Sequence, residues 1–153
     1  MAASRPGPAL AYADTSFLCS LYLRDANTAA ATRHVIRHKP ALALTLWQCC
    51  ELRNAVRLSV ARGNVTAVAA EQALADIEGD AAAGDLVAVD LVWPDVFAKT
   101  EALSAAHTTR LAIRTLDLVH VAAALTLGTR TFLTCDVRQL ALADAAGLQT
   151  VSI

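Results

Sequence analysis

The sequence feature that most constrains this chain is a short apolar segment that ends at an acid. Residues 9–13 (ALAYA) are typical of a buried strand, and Asp14 follows them directly. Thr15 and Ser16 come next, and either hydroxyl can cap the helical pattern that begins there. In open α/β sheets, ligands bind in the crevice outside the carboxyl ends of the strands. Asp14 is therefore expected at a ligand-binding edge of a sheet.

A second segment near the end of the chain has the same design. Residues 131–134 (TFLT) are typical of a strand, and Cys135 and Asp136 lie between this strand and the next helical pattern. Two strands that each deliver an aspartate to one edge of a sheet place two carboxylates close together. The sequence therefore predicts an acidic site at that edge, built from Asp14 and Asp136.

Strand-like and helix-like segments alternate along the chain, with no hairpin turn between strands. This alternation predicts an α/β protein with a mainly parallel sheet between two helical layers, a three-layer α/β/α architecture. We expect a lead-in at residues 1–8 and a single domain over residues 9–153. Predicted strands cover residues 9–14, 41–45, 86–91, 131–134 and 148–153, and predicted helices cover residues 15–23, 29–39, 46–62, 66–83, 93–108, 111–127 and 137–146.

Composition and charge exclude several classes of protein. The net charge of the 153-residue chain is −1, so no overall field attracts nucleic acid or a membrane. The four cysteines form no CxxC pair and no zinc-binding spacing, and we expect them to be reduced thiols. No apolar run approaches the roughly 20 residues that span a bilayer, and the N-terminus lacks the apolar core of a signal peptide. We therefore expect a soluble cytoplasmic protein.

Two further acids are isolated in apolar helical segments. Glu51 lies within residues 47–56, and Asp117 lies within residues 113–124. Burying an unpaired charge is costly, so each acid must reach water, a partner or a metal ion. Taken alone, each acid is typical of an amphipathic helix that exposes it to water. Taken with the two strand-end aspartates, both can converge on one crevice of an α/β/α domain.

Four converging carboxylates favour a divalent metal site. Clustered carboxylates repel one another and raise one another's pKa unless a cation compensates the charge. Sites made only of oxygen ligands suit Mg²⁺ or Mn²⁺ rather than zinc or copper. Such an ion can activate water and neutralise the charge that develops on a phosphodiester during in-line attack. Phosphodiester hydrolysis is therefore the chemistry that this set of acids favours.

The order and context of these acids resemble those of the PIN-domain nucleases, particularly the small VapC-type toxins of prokaryotic toxin–antitoxin pairs. The resemblance runs from Ala11 to the end of the chain. Its motifs are residues 12–16 (YADTS), 51–55 (ELRNA), 117–124 (DLVHVAAA) and 132–136 (FLTCD). The resemblance implies a set of catalytic, metal-binding acids and a set of supporting hydroxyls. The acids are Asp14, Glu51, Asp117 and Asp136, and the hydroxyls are those of Thr15, Ser16 and Thr134.

The same resemblance implies an activity and partners. The expected activity is Mg²⁺- or Mn²⁺-dependent endoribonuclease cleavage of RNA, and the expected partners are a second copy of the chain and a cognate VapB-like antitoxin. One segment departs from the family pattern. Some members carry a further acid or asparagine shortly after the fourth acid, where this chain has Val137, Arg138 and Gln139. The number of bound ions, one or two, is therefore left open.

Three polar residues near the helical acids have more than one interpretation. Asn54, three residues after Glu51, can orient that acid or a metal-bound water, or can lie on a solvated face. Arg114 can bind substrate phosphate or form an ion pair with Asp117 one helical turn later, and the ion pair is favoured. For His120, one turn after Asp117, a packed histidine with a local hydrogen bond is favoured over a general base.

A run of basic side chains lies on the second predicted helix. Their i,i+4 spacing places them on one face, where they can contact an RNA backbone. A solvated face is favoured, because most charged runs have no partner. The run consists of Arg33, His34, Arg37, His38 and Lys39.

Other folds with acids at strand ends fit the sequence less well. A phospho-receiver domain needs a lysine near a later strand end, and Lys39 and Lys99 both lie in helical segments. A haloacid-dehalogenase-like phosphatase needs an aspartate where Ser16 stands, and a dinucleotide-binding fold needs a glycine-rich turn after the first strand. Two alternatives to a toxin stay open. One is a housekeeping RNA-processing PIN nuclease, and the other is a non-catalytic PIN-like module that binds RNA or protein.

Overall fold

A five-stranded parallel sheet forms the centre of the structure, a computed structural model that describes residues 9–153. Its strands are β1 (Leu10–Ala13), β2 (Ala41–Leu44), β3 (Leu86–Ala88), β4 (Thr131–Thr134) and β5 (Gln149–Ser152). They lie in the order β3-β2-β1-β4-β5, which leaves β1 in the middle. The predicted α/β class and parallel sheet are confirmed. The predicted lead-in, residues 1–8, lies outside the described residues.

Seven helices lie within the described residues. They are α1 (Thr15–Tyr22), α2 (Thr28–His38), α3 (Leu46–Ala61), α4 (Ala67–Ala83), α5 (Trp93–Leu111), α6 (Thr115–Leu127) and α7 (Val137–Ala145). Over residues 9–153, none of these helices has the length and apolar character needed to cross a membrane.

The helices cover both faces of the sheet, and the pleat of β1 separates the two cores. Tyr12 packs into a core shared with α5, α6 and α7. Its neighbours Ala11 and Ala13 point to the opposite face and pack with residues of α1, α3 and α4. The predicted three-layer α/β/α architecture is therefore confirmed.

The pairing of β1 with its two neighbours determines where the strand-end acids lie. Tyr12 pairs with Ala43 of β2 and with Phe132 of β4. Immediately after β1, Asp14 donates its backbone N–H to the carbonyl oxygen of Leu133 at 3.0 Å. Strands β1 and β4 therefore end side by side, and the residues that follow them lie at the same edge of the sheet.

The cap of α1 differs from the prediction. The carboxylate of Asp14 accepts a hydrogen bond from the backbone N–H of Phe17 and occupies the N-cap position. The prediction that Thr15 or Ser16 caps this helix is wrong, because both residues already belong to its first turn. Asp14 therefore ends β1 through its backbone and caps α1 through its side chain.

The break between α5 and α6 also differs from the prediction. Helix α5 continues to Leu111, and Ala112 has left-handed backbone angles with φ of 50°. Helix α6 begins at Thr115 rather than at the predicted Leu111. No glycine or proline marks this break in the sequence. The shorter α6 places Asp117 in its first turn, at the carboxyl edge of the sheet.

Candidate active site

Three of the four predicted acids line a single cleft at the carboxyl edge of the sheet. Glu51 of α3, Asp117 of α6 and Asp136 at the start of α7 face a volume of about 270 Å³. Asp14 is fully buried beside this cleft, in contact with Ser16. The structure thus brings together acids from four separate segments. The other residues that line the cleft are Thr15, Ser16, Arg114, Leu116, His120 and Gln139.

Asp14 accepts hydrogen bonds on both carboxylate oxygens. Oδ1 accepts from the backbone N–H of Phe17 at 2.9 Å, and Oδ2 accepts from the Thr134 hydroxyl at 2.7 Å. The Ser16 hydroxyl lies 2.8 and 2.9 Å from the two oxygens. Burial raises the pKa of Asp14, although Phe17, the His120 ring and both hydroxyls act in the opposite direction. A buried carboxylate with a raised pKa costs the fold stability, which points to a functional role.

Glu51 is held in the cleft by two donors. The Thr15 hydroxyl donates to Oε2 at 2.7 Å, and Nε2 of His120 lies 2.6 Å from the same oxygen. Burial alone would raise the pKa of Glu51, but the hydrogen bonds and charge of His120 and the Thr15 hydroxyl outweigh it, so the pKa is lowered. Glu51 is therefore held as a carboxylate. Its side chain remains 21% exposed.

Asp117 is held by a cation and an amide. Nε of Arg114 lies 3.2 Å from Oδ2, so the ion pair favoured from the sequence is confirmed. The Gln139 amide donates to Oδ1 at 3.3 Å. The Asp117 side chain is 8% exposed, whereas that of Arg114 is 71% exposed. Most of the guanidinium therefore lies in solvent at the mouth of the cleft.

Asp136 caps α7 and is linked to Asp14 through one hydroxyl. Its Oδ1 accepts from the backbone N–H groups of Arg138 and Gln139 at 2.7 and 3.2 Å. The backbone N–H of Asp136 donates to the Thr134 hydroxyl, which itself donates to Asp14. Thr134 therefore connects the two strand-end aspartates.

One predicted residue lies outside the cleft, and two residues that contact the site were not predicted from the sequence. Asn54 is exposed on α3 and does not line the cleft. Gln139 was missed from the sequence, although its position three residues after Asp136 on one helical turn was a usable signal. Tyr12 was missed because nothing in its sequence context distinguishes it from a core residue. It lies 3.0 Å from His120.

The basic run on α2 lies apart from the acids. Four of its side chains, Arg33, His34, Arg37 and His38, line a separate depression of about 380 Å³ together with residues 151–153. This depression shares no lining residue with the acidic cleft. The basic run therefore does not complete the acidic site.

The acidic donors of the cleft suit a hard divalent cation such as Mg²⁺ or Mn²⁺, because all of them are oxygens. Among the described residues, no group donates a hydrogen bond to Oε1 of Glu51 or Oδ2 of Asp136. Over residues 9–153, no three His, Cys, Asp or Glu side chains surround one ion position. The residues thus provide the type of donor atom that such an ion prefers, but they are not already arranged around one ion position.

Solved structures of VapC toxins have the same fold as this chain. VapC20 of Mycobacterium tuberculosis, a Sarcin-Ricin loop cleaving toxin, aligns with a TM-score of 0.66 at 20% identity, over 95% of this chain and 100% of that chain. A chain of VapBC-5 from the same organism aligns with a TM-score of 0.56 at 22% identity, over 95% and 100%. A chain of VapBC2 from Rickettsia felis, bound to a promoter DNA fragment, aligns with a TM-score of 0.57 at 14% identity, over 94% and 98%.

Sequence comparison gives no further match. No model of a protein family and no curated protein matches this sequence. At identities of 14–22%, the structural likeness defines the fold. The chain therefore has the three-layer PIN-type fold of the VapC toxins, as predicted from its acidic motifs.

We expect Asp14→Asn to keep the fold and to be at least as stable as the wild type at pH 7 without added metal. The amide preserves the volume and the acceptor for the Phe17 N–H, and its NH2 group can donate to the Ser16 and Thr134 hydroxyls, which can accept as well as donate. It removes the buried charge. Because the folded-state pKa of Asp14 is raised, Asp14 lowers the free energy of unfolding once the pH rises above the ordinary aspartate pKa. The advantage of asparagine should therefore disappear at about pH 3, where both folded and unfolded chains bind the proton. Denaturant unfolding at both pH values measures this difference.

Asp14→Ala is the matched comparison, because it removes the same charge but leaves the donors of Phe17, Ser16 and Thr134 without their acceptor. A loss of about 1–3 kcal/mol is expected for that variant. Equal losses in the asparagine and alanine variants at pH 7 would show that burying this charge is not costly.

Proposed function

We propose that this protein is a VapC-type PIN-domain endoribonuclease that hydrolyses RNA phosphodiester bonds with Mg²⁺ or Mn²⁺. We also propose that it is the toxin of a type II toxin–antitoxin pair. The cleft carries this proposal, because three carboxylates line it and a fourth is buried beside it. The fold shared with VapC20, a toxin that cleaves the Sarcin-Ricin loop, supports RNA as the substrate.

The four acids have distinct places in this mechanism. Glu51, Asp117 and Asp136 would hold the ion from the cleft, and Asp14 would hold it from the buried side. When bound, the ion supplies an activated water and neutralises the charge that develops on the phosphodiester. Thr134 fixes Asp14 and the backbone of Asp136 together, so both strand-end acids keep one relative position.

Arg114 is the group in this mechanism that meets the RNA backbone. It contacts Asp117 through Nε, and its side chain is 71% exposed at the mouth of the cleft. The terminal amino groups of a guanidinium can bind two oxygens of one phosphate. Arg114 therefore binds a substrate phosphate while its Nε keeps Asp117 in place.

We expect Asp117→Asn to lower RNA cleavage at least about 100-fold, since the loss of groups that merely support a metal ligand already costs 10–100-fold. The measurement is cleavage of total RNA with mapped ends, with Mg²⁺ or Mn²⁺ and with excess chelator. Chelator should stop cleavage by the wild type. The amide differs little in volume from the carboxylate, so the fold should be retained.

Asp76→Asn is the control for this experiment. Asp76 is exposed on α4, and the change is chemically the same but outside the cleft. The mechanism is contradicted by full activity of Asp117→Asn or by undiminished cleavage in chelator. Cleavage without growth arrest on expression would favour the housekeeping alternative, and folded protein that binds RNA without cutting would favour the non-catalytic one.

The proposed partners are a second copy of this chain and a VapB-like antitoxin. VapBC-5 and VapBC2 are toxin–antitoxin systems, which supports the antitoxin. An apolar groove of about 540 Å³ beside the cleft supports the homodimer. Leu46, Phe97 and Leu116 in this groove are 73%, 58% and 52% exposed. Exposed apolar surface of this kind marks an interface, and Leu116 makes the groove continuous with the cleft.

We expect Phe97→Glu to convert a dimer to a monomer, because it places a charge in the groove without changing a buried residue. Light scattering coupled to size-exclusion chromatography measures the mass. Val68→Glu is the control, since Val68 is 76% exposed on α4 outside the groove. A wild type that is monomeric at high concentration, or a Phe97→Glu variant that stays dimeric, would contradict this use of the groove.

A further inference from the structure

His120 is held on both ring nitrogens inside the protein. Its side chain is 4% exposed, with Nδ1 3.0 Å from the Tyr12 hydroxyl and Nε2 2.6 Å from Oε2 of Glu51. An ionised Glu51 can only accept hydrogen bonds, so the shared hydrogen lies on Nε2 of His120. Nδ1 shares a hydrogen bond with the Tyr12 hydroxyl, accepting in the neutral ring and donating in the protonated one. Hydrogen bonds therefore link Tyr12 to His120 and His120 to Glu51.

Tyr12 anchors this series of hydrogen bonds in the core. It is fully buried in β1, and its ring stacks on Phe132 with centroids 5.7 Å apart and planes 6° apart. Burial raises the pKa of Tyr12 well above its usual value, so the phenol keeps its hydrogen. The hydroxyl is therefore held in one position by the packed ring and is a fixed hydrogen-bond partner for Nδ1 of His120.

The hydrogen bonds reach only one oxygen of Glu51. His120 and Thr15 both contact Oε2, and among the described residues no donor contacts Oε1. A glutamate side chain has several rotamers. A glutamate without hydrogen-bond partners would therefore lose conformational entropy when it binds a ligand. Here the carboxylate is fixed through one oxygen, while the other stays available.

We propose that His120, anchored by Tyr12, is a positioning residue that holds Glu51 through Oε2 and presents Oε1 to the divalent ion of the cleft. This inference rests on the proposed metal-dependent function. Support of this kind, by groups behind the ligands, sets ligand orientation and metal affinity. Because both ring nitrogens are engaged, His120 has no free lone pair with which to take a proton from water.

The test is Mn²⁺ affinity, measured by titration calorimetry on the full chain without RNA. His120→Phe removes both hydrogen bonds and should weaken Mn²⁺ binding about 10–100-fold. His120→Gln keeps an amide N–H that can reach Glu51, so it should restore much of the affinity. Tyr12→Phe keeps the ring stacked on Phe132 and removes only the anchor, so its affinity should fall between wild type and His120→Phe.

Tyr22→Phe is the matched control for the loss of a phenol hydroxyl. Tyr22 donates to Asp80 at 2.7 Å and does not line the cleft. Its Mn²⁺ affinity should equal that of the wild type. Thermal unfolding shows whether each variant is folded, and Tyr12→Phe carries the test if His120→Phe does not fold.

Kinetics provide a second readout. A positioning role predicts that kcat falls in the His120 and Tyr12 variants while KM for RNA stays within about twofold, because Arg114 still binds the backbone. Wild-type Mn²⁺ affinity and kcat in folded Tyr12→Phe and His120→Phe would overturn the inference and leave the proposed function intact. A wild type that neither binds Mn²⁺ nor cleaves RNA would instead overturn the proposed function.

Discussion

The structure depends on a carboxylate that is placed out of reach of water at the end of the central strand. Asp14 is fully buried, and its raised pKa shows that its hydrogen bonds do not fully replace hydration. The same residue ties β1 to β4 through its backbone N–H and starts α1 through its side chain. Ser16 and Thr134 complete its surroundings. The buried charge of Asp14 thus lowers the stability of the fold at the edge where β1 and β4 end side by side.

Glu51 and Asp117 are also held by hydrogen-bond donors. Glu51 is held by His120 and Thr15, and Asp117 by Arg114 and Gln139. These donors favour the ionised form of each carboxylate and so offset part of the repulsion among them. Because three of the four carboxylates line one cleft, a divalent cation is the ligand that we propose for them. The proposed ion site therefore rests on the chemistry of its oxygen donors and on the cleft that they share.

Much of this arrangement follows from the sequence, and the exceptions have physical causes. Acids directly after apolar strands must lie at one sheet edge, which placed Asp14 and Asp136 correctly. Local pattern does not set rotamers or helix breaks, so the left-handed Ala112 and the contact of Gln139 with Asp117 were missed. Asn54 lies one helical turn after Glu51 but is exposed and does not line the cleft, because a shared helix face does not fix how far along that face the cleft extends.

The central claim is that these carboxylates bind a divalent cation in one cleft. Diffraction from crystals grown with Mn²⁺, recorded at the manganese absorption edge, tests it most directly. The claim predicts an anomalous peak in the cleft, at coordination distance from oxygens of Glu51, Asp117 or Asp136. Saturating Mn²⁺ with no peak in the cleft, or with peaks only at acids elsewhere on the surface, would contradict it.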